Sequence, residues 1–194
     1  MESRRRAHGL WRELARVDKE HRPLLVANQN RFTEWGLAEL LTEKAREALA
    51  GDPDAAEHHA ALVLMVCAQL DPPGGRLPLL RDLEAQAWAL AGASRAARGE
   101  HAAAGDAFRR AAGALAQGSG DPLLRADLLE LRAPWLLARG RRQRAELALR
   151  EAQSLCTRAG ESGRAGRCAD ALDELDHPGE PVRFRPTLAH SAGR

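Results

Sequence analysis

"AWALAGASRAARGEHAAAGDAFRRAAGAL", residues 87–115, decides the fold. Almost half of this stretch is alanine, with one Trp, one Phe and a Gly followed by charge in its middle. In its second half Ala104, Phe108, Ala111 and Leu115 recur at spacings of 4, 3 and 4 residues. That period places the four on one face of an α-helix. Leu80, Leu83, Ala87 and Leu90 mark the helix before it. Between the two, Gly99 is a helix stop, because glycine accepts the left-handed conformation that ends a helix. The stretch therefore reads as helix, tight turn, helix. Small residues at the crossing points let the two backbones approach, and Trp88 and Phe108 fill the space beside them.

The pattern recurs along the chain. Ala56, Ala60, Val63 and Cys67 repeat the 4, 3, 4 spacing, as do Ala145, Leu149, Ala152 and Cys156, and Leu124, Leu128, Leu131 and Trp135. Gly51, Gly99 and Gly140 stand before the second helices, 48 and 41 residues apart. Longer breaks, "DPPGGRLP" (71–78) and "GSGDP" (118–122), alternate with these tight turns. Three helical hairpins in tandem predict an all-α chain arranged as an α-solenoid of antiparallel hairpins. The absence of Tyr and Ile, with few other β-formers, argues against a sheet.

Residues 87–115 resemble a tetratricopeptide repeat (TPR), through Trp88, Gly92, Gly99, Ala104, Phe108 and Ala111 in the family's order. A second unit is similar through Leu129, Ala133, Gly140, Ala145, Leu149 and Ala152. A third fits through Leu41, Ala45, Ala56, Ala60 and Val63 if its turn carries one extra residue. The resemblance covers residues 32–158. It implies that Trp88, Gly92, Ala104, Phe108, Ala111, Ala133, Ala145, Leu149 and Ala152 pack the repeats. It also implies a concave groove lined by the first helix of each unit: Glu39, Thr42 and Arg46, then Gln86, Ala89 and Ala93, then Asp127, Glu130 and Leu137. The expected function is a protein–protein interaction scaffold that takes another protein or a peptide segment in that groove. Asp127 and Glu130 make the third unit acidic, so the expected ligand is basic or of mixed charge.

Outside the repeats, residues 1–31 read as a helical extension. Its first 20 residues form a helix with Leu10, Leu14 and Val17 inward, and 22–31 join the next helix with Pro23 in its first turn. Residues 159–176 read as a short capping helix or an incomplete repeat, with Ala165, Ala169, Leu172 and Leu175 inward. Residues 177–194 read as a flexible tail. Pro134 lies within the helix predicted over 122–138 and is expected to kink or break it, since it lacks an N–H and its ring clashes with the preceding turn.

The chain has 194 residues, 44% hydrophobic and 29% charged, with a net charge of +2, which is a globular composition and no argument for nucleic acid. Only Lys19 and Lys44 stand against the arginines, a usage that fits a GC-rich, bacterial coding sequence. The N-terminus has arginines but no apolar stretch behind them, so it is not a signal peptide. "AALVLMVCA" (60–68) is too short to cross a bilayer, and the expected location is cytoplasmic. Three cysteines fit a reducing compartment. Cys67 and Cys156 read as small core hydrophobes, and Cys168 has no Cys-x-x-Cys partner. His58 and His59 are adjacent, cannot share a metal on one helix face, and read as surface residues, as does His101. "GESGRAG" (160–166) has no preceding strand and no lysine and reads as a loose linker. No motif supports catalysis, a metal or a cofactor. Arg141, Arg142 and Arg144 read as a solvated turn, with an anion contact as the functional alternative. Other classes kept open are a nucleic-acid-associated regulator using the arginine clusters, self-association through the C-terminal repeat, and a truncated repeat-protein fragment.

Replacing Ala104 or Ala111 with Leu is expected to overpack the hairpin and cost about 1–3 kcal/mol. An unchanged midpoint in denaturant unfolding would remove these alanines from the helix crossing.

Overall fold

The computed structural model describes residues 2–71 and 75–176. Among them the chain is all-α, with no strand. The helices are α1 (Glu2–Ala15), α2 (Arg22–Asn28), α3 (Trp35–Ala48), α4 (Pro53–Gln69), α5 (Leu77–Ala97), α6 (His101–Leu115), α7 (Pro122–Ala138), α8 (Arg142–Arg158) and α9 (Ser162–Asp176), with a 3-10 turn at Asn30–Phe32. From α3 onward each helix packs on the next in the chain, and α5 also lies against both α3 and α7. The expected tail, 177–194, lies outside the described residues, as does 72–74 within the "DPPGGRLP" break.

Two helices open on Asp-Pro. Asp52 Oδ1 accepts from Ala55 N–H at 2.9 Å and Asp121 Oδ1 from Leu123 N–H at 2.8 Å, each just before the proline that starts α4 or α7. The carboxylate satisfies an orphan donor and the proline sits where its missing N–H costs nothing. Three helices end in one shared device. Gly99, Gly140 and Gly160 have φ of 79°, 67° and 79°. After α5, Glu100 N–H donates to the Arg95 carbonyl at 2.9 Å and Gly99 N–H to Ala96 at 3.0 Å. The same pair of bonds closes α7 through Arg141 to Leu136 and α8 through Glu161 to Cys156, at 2.9 Å each. This is the Schellman closure, which returns the chain within three residues. Gly51 differs: its φ is not positive, and Asp52 N–H donates to the Ala48 carbonyl at 2.7 Å.

The core changes character along the chain. Around α1–α4 it is built from large residues, among them Leu14, Val26, Phe32, Leu37, Leu41, Leu62 and Val66. Between α5 and α8 it becomes Ala89, Ala104, Phe108, Ala111, Leu128, Trp135, Leu136, Ala145 and Ala148. The glycines show why. A Cβ on Gly92 would lie 3.1 Å from the Phe108 ring, and one on Gly105 would lie 2.9 Å from Trp135 Cζ2. Phe108 and Trp135 then meet with ring centroids 5.6 Å apart, a favourable tilted pair. Trp135 Nε1–H donates to the His101 carbonyl at 3.0 Å, which ties α7 to the start of α6.

Several expectations change. Residues 22–31 do not join α3: α2 ends at Asn28, and the 3-10 turn buries Phe32 before α3 begins. Val17 lies beyond the end of α1 and is half-buried, whereas Leu10 and Leu14 point inward as expected. Pro134 does not break α7, which runs unbroken across it. Ala133, Trp135 and Leu136 on either side are buried, and that packing offsets the lost backbone bond. "GESGRAG" is no linker; it is the closure at Gly160 plus the first turn of α9. On α9 the buried face carries Cys168, Ala171 and Leu175, so the fully buried position is Cys168 and not its neighbour Ala169. The loop after α6 is held by Asp82 of α5, whose buried carboxylate accepts from Ser119 N–H at 3.1 Å.

The two glycines of α6 should respond oppositely to alanine. Gly113 has open space around its Cβ position, so Gly113→Ala should raise stability by up to about 1 kcal/mol. Gly105→Ala must displace Trp135 and should lower stability by about 1–2 kcal/mol net. Thermal melts of the two variants compare them directly.

Candidate functional site

The nine expected groove positions lie on α3, α5 and α7. Glu39 is exposed and accepts from Trp35 Nε1–H at 2.8 Å. Thr42 is buried and donates its hydroxyl to the Ala38 carbonyl at 2.9 Å, and Ala89 is buried as well. Neither can line an open groove. Gln86, Ala93 and Leu137 are half-buried, and Ala93 and Leu137 pack into the core between the hairpins.

The charged positions come together. Arg46 Nη2 reaches Asp127 Oδ2 at 3.1 Å, so a side chain of α3 touches one of α7 although α5 lies between them. Ala85 and Ala89 of α5 line the crevice under that bridge, together with Gln86 and Leu128. Only about 10 Å³ of free space remains there, room for about one water and not for a peptide side chain. From the other side, Arg164 of α9 pairs with Asp127 and lies 2.7 Å from Glu130 Oε1. Its side chain is 14% exposed. Burial opposes the charge of this guanidinium, but Asp127 and Glu130 outweigh it and hold the pKa above the ordinary value. Asp127 and Glu130 are therefore matched from within by Arg46 and Arg164 and do not form a free acidic patch. Arg164 was invisible in a reading that made 160–166 a linker.

The residues named for repeat packing sit at the helix contacts. Gly92, Ala104, Phe108, Ala111, Ala133, Ala145, Leu149 and Ala152 are buried. Trp88 is half-buried, with the Arg110 guanidinium 4.6 Å from its ring centroid.

The other candidates separate clearly. Among the described residues no group of three or more His, Cys, Asp and Glu could hold a metal ion. Cys67, Cys156 and Cys168 are buried. Burial pushes the Cys67 and Cys168 thiols up to about 12, helped by Glu84 and by Glu130 respectively, so both are protonated and unreactive at neutral pH. Arg141 and Arg144 are exposed, whereas Arg142 donates to the Leu175 carbonyl and lies 3.5 Å from Asp176, fastening the end of α9. His58, His59 and His101 are not surface residues; His101 is half-buried at the start of α6. His58 and His59 are half-buried too, and Trp11 of α1 meets His59 edge-on at 5.2 Å. Buried His58 Nε2 and His59 Nδ1 have no hydrogen-bond partner among the described residues.

No family model matches the chain, and neither do the curated proteins or the solved structures compared with it. No helix among the described residues is long and apolar enough to cross a membrane.

The histidine pair makes stability depend on pH. Burial, then the charges of His58, Arg22, Lys44 and Lys19, lower His59 from 6.5 to about 4. His58 is lowered too, by burial first and then by Lys19 and Arg22. A folded pKa below the unfolded one means the unfolded chain binds the extra proton first. Stability from His59 is therefore complete above pH 6.5 and is lost as pH falls from 6.5 through about 4. Denaturant unfolding across this range should show the slope in the native protein and a weaker one in His59→Phe.

Proposed function

We propose that this chain is a protein–protein interaction scaffold, built as a TPR-like α-solenoid of antiparallel hairpins, that holds another protein or a peptide segment along its first-helix face. The observation that carries the reading is that α3, α5 and α7 lie side by side, each followed by its own packed partner helix. Such an order repeats one contact and leaves one helix of every pair on a common face. The matching glycine closures at Gly99 and Gly140, inside the second and third hairpins, support it further.

α9 fits a capping role. Its inner face covers α8, and its exposed face carries Asp170, Asp173 and Glu174, a polar exterior of the kind that ends a repeat stack. On this reading the chain has no catalytic step, works without a cofactor, and acts in the cytoplasm.

The partner meets a shallow surface. Asp127 and Glu130 are neutralised by Arg46 and Arg164, so the expectation of a basic ligand loses its basis. Recognition falls to positions that remain available, Glu39 on α3 and Gln86 on α5. A partner captured from nuclease-treated lysate and then purified should bind the native chain directly. Glu39→Arg combined with Gln86→Arg should weaken it at least ~10-fold, about 1.4 kcal/mol, with helicity by circular dichroism unchanged. Equal affinity in the variant would remove the first-helix face as the binding surface.

A further inference from the structure

Arginine is the dominant cation of this chain, and most of its guanidinium groups around α6–α9 already have an acid or, as with Arg158 to Ser154 and Arg167 to Gly163, a carbonyl of their own helix. Arg109 pairs with Asp106, Arg125 with Glu151 at 2.5 Å, Arg150 with Glu146 at 2.6 Å, and Arg164 with Asp127 and Glu130. The turn between α7 and α8 is different. Arg132, Arg139, Arg141 and Arg144 form no ion pair among the described residues.

Two of the four flank one aromatic ring, and the other two stand on the turn that follows it. Arg132, Trp135 and Arg139 lie at i, i+3 and i+7, one face of α7. The Arg132 and Arg139 guanidinium carbons stand 5.8 and 5.9 Å from the centre of the Trp135 ring. The ring is itself fixed by its bond to the His101 carbonyl and by Phe108, so it holds both guanidinium groups in place. Arg132 is half-buried, and its Nε is a buried donor with no acceptor among the described residues. Arg141 is the residue before α8 and Arg144 lies in its first turn, which has no acidic residue and no side-chain cap. Positive charge there adds to the positive end of the helix dipole instead of opposing it. Burial first, and then the charges of Arg144 and Arg141, lower the Arg132 pKa, so these groups crowd one another.

A fold gains nothing from concentrating unpaired cations at the start of a helix around a half-buried, unsatisfied donor. An oxyanion resolves every part of the arrangement. We infer that Arg132, Arg139, Arg141 and Arg144, at the α7–α8 turn beside Trp135, form a binding site for a single phosphoryl-type oxyanion, either free phosphate or one phosphorylated side chain. Guanidinium groups suit such an anion because their paired N–H donors match its oxygens. Arg142 is not part of the site, because it is committed to α9. The arginines farther along these helices pair with acids, donate to a carbonyl of their own helix as Arg158 and Arg167 do, or, like Arg110 over Trp88, lie against a different ring. One anion fits this better than a nucleic-acid strand, which needs a continuous basic track. The inference does not depend on the scaffold reading.

The test is a titration of the full chain with inorganic phosphate, and separately with O-phosphoserine, followed by NMR at the Arg132 Nε–H and the Trp135 Nε1–H. Sodium chloride at matched ionic strength is the reference. Saturable shifts at both groups are expected, absent with chloride. Arg141→Gln combined with Arg144→Gln should weaken binding by roughly tenfold or more, since two charge-assisted contacts are lost. Arg158→Gln combined with Arg167→Gln removes the same charge elsewhere and should leave binding unchanged. Because Arg141 and Arg144 are exposed, the first variant should keep its fold. Shifts reproduced by chloride, or equal losses in both variants, would overturn the site. Tighter binding of phosphoserine than of phosphate supports it and points to a phosphorylated partner. A single-stranded oligonucleotide that binds more tightly than either anion, and loses affinity on Arg109→Gln and Arg110→Gln, would replace the single-anion site with a strand track.

Discussion

The middle of the molecule depends on how closely α5, α6 and α7 can approach. At Gly92 the backbone of α5 runs against the ring of Phe108, and at Gly105 the backbone of α6 runs against Trp135. There is no room for a methyl group at either point without movement of an aromatic ring. The neighbouring alanines extend the same condition along both helices. Once the approach is granted, Phe108 and Trp135 come into contact and the indole N–H reaches His101. Trp135 in turn helps hold α7 helical across Pro134. The scarcity of large side chains in this region is thus a requirement of the interhelical distance and not a weakness of the core.

Charge placement reinforces this packing at the helix ends. Asp54 and Glu57 stand in the first turns of α4, and Arg95 and Arg98 near the end of α5, so each acid and each base complements its own helix dipole. The antiparallel arrangement brings them together: Arg95 Nε lies 2.6 Å from Glu57 Oε1, and Arg98 Nη1 lies 2.8 Å from Asp54 Oδ1. Hydrogen bonds that Arg98 donates to Glu100 and Glu57 hold its pKa above the ordinary value. The Arg46, Asp127, Arg164 and Glu130 chain is more buried, and there desolvation opposes the Coulomb attraction. Its contribution is geometric: it specifies which faces of α3, α7 and α9 meet.

The helices and the tight turns at Gly99 and Gly140 were legible in the sequence, because helical period and glycine stops are local properties. What escaped the reading was non-local. Thr42 and Ala89 occupy the expected face, yet burial depends on how near the adjacent helices come, which no spacing records. The Gly160 closure repeats the Gly99 device, but an excess of glycine in "GESGRAG" masked it. His58 and His59 look exposed until α1 is laid over them, and α1 is held there by contacts far away in sequence. Pro134 shows the same limit from the other side, since a local helix breaker is overruled by the buried residues around it. The cluster at the α7–α8 turn was mostly visible: "RGRRQR" (139–144) holds Arg139, Arg141 and Arg144, but Arg132 lies earlier in α7 and is set beside Arg139 only by Trp135.

The bridge from Arg46 to Asp127 spans three helices, and Arg164 continues it to a fourth. A tie of this kind works in tension. If the helix pairs tilt apart about α5, the bridge stretches while the alanine contacts beneath it hinge. Because its members are largely withdrawn from solvent, dissolved ions screen the tie far less than the exposed ion pairs elsewhere on the surface. The face therefore keeps its brace in dilute and in concentrated solution alike.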